Sequence, residues 1–236
     1  MAAPDGALSV AGKHGGRTAP ARSRGVLYSG TQRHGGGGGA GIGSGNRAKG
    51  NTDILIKGAT KVTAKGGSTA AGIGSGNGSN GSTIINIEGG TITAEGGGKE
   101  NGSCQASGAG IGSGGNALNK TTINIKGGEI TATGGVSLDS RNHSDKWLSG
   151  AGIGSGSNVS GETEINISGG TIKSASGGKY GGAGIGSGSY SGSKPNNQKG
   201  AVTINITDGT IEKATGGGEY VPSSKRWYSG AGIGAG

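Results

Sequence analysis

The chain has little of what a globular domain normally uses to build a core. Among its 236 residues there are no phenylalanines, two tryptophans and five tyrosines, and only 28% of the residues are hydrophobic. This composition makes intrinsic disorder a real alternative, because little apolar area is available to offset the conformational entropy of the chain. The order of the residues argues against disorder, since the apolar residues keep a regular register along the chain.

Other absences exclude further classes of protein. Cys104 is the only cysteine, so there is no intrachain disulfide and no paired-cysteine metal or redox motif. No apolar run approaches the roughly 18 residues of a transmembrane helix, and residues 1–30 lack the apolar segment of a signal peptide. Only four prolines and no strict Gly-X-Y triplet are present, which argues against collagen.

Charge is also unbalanced, with a formal net charge of +9. Residues 1–35 hold five lysines and arginines against Asp5 alone. A basic segment of this kind either binds nucleic acid or an anionic surface polymer, or is a solvated loop. No nucleic-acid-binding motif accompanies the charge, so we expect no specific nucleic-acid partner.

Glycine, by contrast, is abundant and patterned. The sequence GAGIGSG at 39–45 places glycine at every second position, and close copies of it recur five times. The isoleucines at the centres of the six copies are separated by 31, 38, 42, 32 and 48 residues, an internal repeat typical of a solenoid with unequal insertions. These isoleucines are Ile42, Ile73, Ile111, Ile153, Ile185 and Ile233.

A second block lies between the glycine motifs. It reads TTINIKGGEITATGG at 121–135, and four related copies precede or follow it. Each copy has two short alternating segments separated by a glycine turn signal, which predicts two strands. Aligning the copies gives three apolar columns: Ile54, Ile85, Ile123, Ile165 and Ile204; Ile56, Ile87, Ile125, Ile167 and Ile206; and Val62, Ile92, Ile130, Ile172 and Ile211.

Each repeat thus supplies three short strands that bury an apolar face only when copies stack. We predict a single all-β domain over 1–236, a three-faced parallel β-solenoid of about six rungs. Residues 39–236 form the regular repeats. Residues 1–38 form a degenerate first rung with a long basic loop, because Leu8 aligns with Ile211.

In an extended GAGIGSG strand, the alanine, isoleucine and serine share one face and the four glycines share the other. We expect the isoleucine side to face inward, because isoleucine gains most from burial. The outer side is then a bare glycine face that a loop or a neighbouring molecule can approach closely. The alternative is that the glycines relieve crowding in a thin solenoid with tight corners.

The alternation of TINIxGGTITATGG with GAGIGSG resembles the glycine-rich repeats of large bacterial cell-surface, adhesin-like proteins. The resemblance covers residues 39–236 well and 5–38 weakly. It implies a β-helical stalk or display scaffold and an extracellular or cell-surface location. It does not imply a particular chemistry.

No catalytic cluster is visible, so we predict a protein that is not an enzyme and uses no cofactor or metal. The histidines lack metal-ligand spacing. A polysaccharide-degrading β-helix enzyme needs two neighbouring carboxylates, whereas Glu88, Glu95, Glu129 and Glu164 are isolated. An ice-binding face needs a regular threonine array, and charged residues interrupt the threonine columns.

One group of residues stands above this background. Three consecutive rungs each place a cation immediately before an aromatic residue, just ahead of GAGIG. Such an edge suits sugars with acidic groups or a protein partner, so a carbohydrate-binding module is the alternative function. The aromatics serve equally well as plugs that cover the glycine face. The residues are Lys146, Trp147, Lys179, Tyr180, Arg226, Trp227 and Tyr228.

The last glycine motif predicts self-association. An unpaired solenoid end recruits matching strands unless it is blocked, and residues 230–236 are uncharged and free of proline. We expect end-to-end stacking or lateral packing into filaments, and the alternative is that the chain is a slice of a longer array whose neighbouring rungs cover its ends. Glycans or anionic surface polymers are other candidate partners. The candidate assembly edge is Gly230, Gly232, Ile233, Gly234 and Gly236.

Overall fold

The computed structural model describes residues 8–12, 25–27, 31–98, 106–139, 146–189, 200–222 and 225–236. In these residues the chain forms twenty β-strands, and no helix there is long and apolar enough to cross a membrane. The strands are β1 Leu8–Gly12, β2 Gly25–Leu27, β3 Thr31–His34, β4 Ile42–Gly43, β5 Thr52–Ile56, β6 Lys61–Lys65, β7 Ile73–Gly74, β8 Thr83–Glu95, β9 Ile111–Gly112, β10 Thr121–Thr133, β11 Val136–Asp139, β12 Lys146–Ser149, β13 Ile153–Gly154, β14 Thr163–Ser176, β15 Ile185–Gly186, β16 Val202–Ile211, β17 Ala214–Thr215, β18 Gly218–Val221, β19 Arg226–Ser229 and β20 Ile233–Gly234.

Two sheets of stacked parallel strands build a β-solenoid. One has the order β20-β15-β13-β9-β7-β4, with a strand from each of the six glycine motifs. The other follows the order β16-β14-β10-β8-β5-β1-β2, with β17 beside β14 and β6 between β8 and β3. Equivalent residues pair from rung to rung in all of the predicted isoleucine columns. The parallel β-solenoid of about six rungs is therefore confirmed.

The stacked columns form one continuous core. Alternate residues of β10 are buried, and Ile123, Ile125 and Ile130 are each 0% exposed. Burying an isoleucine side chain stabilises the fold by about 1.5–3 kcal/mol, so repeating it on every rung offsets the small apolar content. The inward orientation predicted for the isoleucine of the glycine motif is also confirmed, since Ile111 and Ile153 are 0% exposed.

The two segments of the second block are one bent strand where two short strands were predicted. Strands β8, β10 and β14 run through the Gly-Gly pair without interruption. The second glycine of the pair has a positive φ, 95° at Gly90 and 90° at Gly128, and the register of β8 with β10 shifts at this point. The pair therefore acts as a bulge that turns the corner while pairing continues on both sides.

The glycine motif contains a strand, as predicted, but the strand is only two residues long and lies inside a tight loop. The backbone amide of Ala109 donates a hydrogen bond to the carbonyl of Ser113 at 3.0 Å, which closes the loop around Ile111. Gly112, directly after the isoleucine, has a φ of 137° that side chains other than glycine rarely adopt. The same closure recurs in each of the other five copies.

The predicted bare glycine face is wrong as well. The four interior copies, at 70–76, 108–114, 150–156 and 182–188, are buried throughout. A Cβ on Gly110 would lie 2.6 Å from the carbonyl oxygen of Gly152 and 2.7 Å from the backbone nitrogen of Thr133. The backbone that approaches the glycines is that of the same chain, so the glycines relieve crowding in a thin solenoid.

The serine of the glycine motif bonds neighbouring rungs together. Its Oγ accepts a hydrogen bond from the amide of the last glycine of the next motif, at 2.9–3.1 Å in all five steps. In the interior these groups are buried, where an unpaired amide would be costly. The donor and acceptor pairs are Gly76 to Ser44, Gly114 to Ser75, Gly156 to Ser113, Gly188 to Ser155 and Gly236 to Ser187.

The N-terminal region departs from the predicted degenerate rung. β1 pairs antiparallel with β5, so Leu8 faces Ile56 instead of taking the position of Ile211 in a parallel rung. Strand β3 takes the position in the rung that was predicted for Leu8, because β3 pairs in parallel register with β6. β2 adds a further antiparallel strand outside β1. Most of the predicted basic loop, at 13–24 and 28–30, lies outside the described residues.

Candidate functional site

Two β-hairpins project from the same corner of the solenoid, immediately ahead of a glycine motif. One is formed by β11 and β12 and the other by β18 and β19. The rung between them has only the short connection 179–181 at this corner. A gap of one rung therefore separates the two hairpins.

Three aromatic side chains fill this gap. The rings of Trp147 and Tyr180 meet edge to face with centroids 4.4 Å apart, and those of Tyr180 and Tyr228 do so at 6.2 Å. Tyr180 is only 6% exposed, and its backbone amide donates to Ser149 Oγ at 2.9 Å. We call Trp147, Tyr180 and Tyr228 the aromatic layer. It ties both hairpins to the short rung between them.

A second pair of aromatics points outward. Tyr220 and Trp227 face each other across β18 and β19, with ring centroids 5.3 Å apart and the planes tilted by 45°. Tyr220 is 42% exposed and Trp227 is 76% exposed. Because strands alternate their faces, Tyr228 lies on the other side of the hairpin, towards the solenoid. We call Tyr220 and Trp227 the aromatic pair.

The structure brings the predicted aromatics together but separates them by role. Trp147, Tyr180 and Tyr228 form the partly or fully buried layer, and Trp227 stands in the exposed pair. Three of the four predicted aromatics thus pack at the edge of the solenoid and help to cover it. Sequence reasoning missed Tyr220, which follows a glutamate. The alternation of GEYV and RWYS around a turn was the available signal for a hairpin that pairs it with Trp227.

The predicted cations do not form one row beside the aromatics. Lys179 Nζ lies 4.9 Å from the ring centroid of Tyr180, its neighbour in sequence. Arg226 is exposed but alternates with Trp227 along β19, so the two side chains leave opposite faces of the hairpin. The side chain of Lys146 lies outside the described part of the chain.

Three of the four acidic candidates, Glu88, Glu95 and Glu164, pair with lysines of neighbouring rungs, as does Glu212. The shortest Nζ to carboxylate distances are 2.6 Å for both Lys65–Glu95 and Lys120–Glu164, and 2.7 Å for Lys173–Glu212, and Lys126–Glu88 is longer at 4.0 Å. The hydrogen bond from Lys120, with a second from Asn166, holds the pKa of Glu164 below its ordinary value. A general acid would need a raised pKa. Within the described ranges no His, Cys, Asp or Glu residues gather as a metal-binding group.

A ladder of asparagines runs along the outer face of the bent strands, which sequence reasoning also missed. Each Nδ2 donates to the Oδ1 of the asparagine one rung before, at 2.8–3.0 Å. At its lower end the Nδ2 of Asn86 reaches Asp53 Oδ1 at 3.5 Å. Such ladders stabilise stacked strands, which gives this row a structural role. The ladder is Asn86, Asn124, Asn166 and Asn205.

The candidate assembly edge lies on the rung formed by β16, β17 and β20. Within the described residues this rung pairs on one side only. Ile206 and Ile233 are 44% and 46% exposed, whereas their partners Ile167 and Ile185 in the preceding rung are 1% and 0% exposed. The amides of Gly230 and Gly236 already donate within the chain, to Gly217 and Ser187. Gly232 and Gly234 flank Ile233 in the loop, and Gly234 has a φ of 133°.

A family model described as a beta helix repeat matches residues 54–77, 85–115, 123–157, 165–189 and 204–236, more than half of the chain. Each match begins at an isoleucine of the first column and ends just beyond a glycine motif, so the matches coincide with the rungs of the solenoid. No curated protein and no solved structure matches the chain. The chain belongs to the beta helix repeat family.

Proposed function

We propose that the protein is a non-catalytic structural module, a β-solenoid stalk that displays loops at its corner. The supporting observation is the position of its carboxylates. Four glutamates lie beside lysines of adjacent rungs, so each ion pair links one rung to the next. Hydrolysis of a glycosidic bond requires two carboxyl groups that face one substrate. An outward carboxylate that is paired with a lysine of the next rung is suited to holding a rod together.

The test of this proposal is an assay for polysaccharide turnover. Purified protein is incubated with pectin, alginate, cellulose and chitin, and new reducing ends and unsaturated products are measured. We expect no turnover. Turnover that disappears in Glu129→Gln or Glu164→Gln, but persists in Lys126→Gln, would show a catalytic β-helix and overturn the proposal.

We further propose that the module works at the cell surface or outside the cell. The resemblance of its repeats to adhesin-like surface proteins supports this location. Brief protease treatment of intact source cells tests it, with immunoblotting for the chain. Loss of the chain from intact cells is expected, while cleavage only after lysis would contradict a surface location.

Self-association through the last rung is a second proposal. The exposed Ile206 and Ile233 repeat the core positions of the rungs beneath them, so a like face from another copy is complementary to this one. The opposite end is covered in part, since β1 runs antiparallel along β5 and Ile42 of the first glycine motif is only 4% exposed. The open face therefore pairs with its own equivalent, which gives a two-fold dimer. Light scattering over a range of concentrations measures it.

A further inference from the structure

The exposure of the aromatic pair is unusual for this chain. The sequence contains only seven aromatic residues, and the aromatic layer uses three of them between the hairpins. Tyr220 and Trp227 instead lie on the outward side of their hairpin, with Trp227 76% exposed. A large apolar ring left in water loses the free energy that burial would provide. The arrangement suits rings that contact something outside the chain.

The surroundings of the pair favour a small amphipathic ligand over a protein. Among the described residues, the other exposed large apolar side chains are Ile84 and Leu118 on earlier rungs, and Ile206 and Ile233 in strands β16 and β20, outside the hairpin that carries the pair. The pair is therefore not the centre of a broad apolar patch of the kind that protein interfaces use. Ser229, exposed and on the same face of the hairpin as Trp227, adds a hydroxyl beside the rings.

We infer that Tyr220 and Trp227 form a binding platform for a pyranose ring of a polysaccharide. The C–H bonds on one face of a sugar ring carry partial positive charge and pack on the negative face of an aromatic ring. The hydroxyl groups at the rim of the sugar are then free to bond to Ser229, which shares the face of the aromatic pair, whereas Glu219 and Arg226 lie on the opposite face of the hairpin. Either a neutral or an acidic sugar presents this ring, and the chain's positive charge admits both.

The aromatic layer explains how this platform stays in place. Tyr228 is the residue next to Trp227, and its ring packs on Tyr180, which in turn packs on Trp147 of the neighbouring hairpin. Val221, next to Tyr220, is 3% exposed and anchors the other strand. The platform is therefore held by an inward-facing side chain on each strand of its hairpin, the half-buried Tyr228 and the buried Val221. A site fixed before the ligand arrives loses less entropy on binding.

Isothermal titration calorimetry with cellohexaose, chitohexaose and hexagalacturonate tests the inference. The first two probes represent neutral sugars and the third an acidic one. We expect at least one probe to bind the wild-type chain. Trp227→Ala and Tyr220→Ala should each weaken that binding at least about tenfold, because truncating an aromatic anchor removes a dominant contact.

Leu118→Ala is the matched control, since Leu118 is 53% exposed on a different rung. This variant should bind as the wild type does. The inference is wrong if none of the three probes binds, or if Trp227→Ala binds them as tightly as the wild type. It is also wrong if Trp227→Ala changes only the oligomeric state, because the pair then belongs to the contact between copies. These binding results do not bear on catalysis, so the turnover assay tests the non-catalytic proposal separately.

Discussion

At the scale of the residue, glycine is required where backbones of adjacent rungs meet. The first glycine motif contains both situations within three residues. A Cβ on Gly43, whose φ is 135°, would lie 1.8 Å from the carbonyl oxygen of Gly74. A Cβ on Gly45 would meet nothing within 4 Å. Both positions are glycines of the same motif, yet only Gly43 has a φ and surroundings that require glycine.

Alanine substitutions at these two positions separate the effects. Gly43→Ala should lower the free energy of unfolding by at least about 2 kcal/mol, because it combines a strained φ with a backbone clash. Gly45→Ala should change it by less than about 0.5 kcal/mol, as expected for an exposed substitution. Urea denaturation followed by circular dichroism measures both. Equal effects would mean that the tight loop around Ile42 does not form.

A second residue-scale prediction concerns Glu164. The hydrogen bond from Lys120 lowers the pKa of its carboxyl, with a smaller contribution from Asn166. Since the folded pKa lies below the unfolded one, the pair stabilises the fold above the unfolded pKa, and this contribution is lost as the pH falls through the folded value. Both partners are solvent-accessible, so salt weakens the effect.

Titration of the Glu164 carboxyl by NMR checks this prediction. Lys120→Met should raise its pKa towards the ordinary glutamate value. Lys126→Met removes a lysine that pairs with Glu88 instead, and it should leave the Glu164 titration where it was. A pKa for Glu164 that is unchanged by Lys120→Met would show that Lys120 is not its partner in solution.

At the scale of the element, the periodicity of the sequence predicted which strands stack on each other, but it did not predict where the chain bends. The isoleucine columns gave the parallel register correctly, because like residues at fixed spacing bury one another only in that register. The strand in the glycine motif is shorter than predicted, since an alternating pattern does not reveal that Gly112 has a φ of 137°. Tyr220 was missed because its partner, Trp227, becomes its neighbour only when the hairpin forms.

The aromatic layer yields the prediction at this scale. Tyr180→Ala should lower the free energy of unfolding by about 3 kcal/mol, because it leaves a cavity between the two hairpins. In a Trp227→Phe background, where Trp147 is the only tryptophan, its emission on selective tryptophan excitation should shift to longer wavelength as water reaches the ring. Tyr220→Ala in the same background should leave the emission of Trp147 unchanged. Identical spectra for all three proteins would contradict the layer.

At the scale of the whole molecule, the two ends of the solenoid differ. At the N-terminal end, antiparallel β1 and β2 lie along β5, while β3 and β4 are parallel strands that each pair on one side only within the described residues. The rung of β16, β17 and β20 exposes isoleucines at core positions. Antiparallel β1 and β2 obstruct part of the surface that a head-to-tail filament would use, and the buried glycine face offers no surface for lateral packing. We therefore propose a dimer of two β16–β20 ends in place of the filament expected from sequence.

Lysine substitutions at two equally exposed isoleucines test this directly. Ile206, 44% exposed, lies at a core position of the last rung, whereas Ile84, 43% exposed, lies on the outer face of β8. Ile206→Lys should leave a monomer at concentrations where the wild type is a dimer, because a charge on an open strand edge opposes pairing. Ile84→Lys should dimerise as the wild type does. Sedimentation velocity measures the distribution of species. A wild type that stays monomeric at every concentration, or that grows beyond a dimer, would contradict pairing of two open ends, as would equal loss of the dimer in both variants.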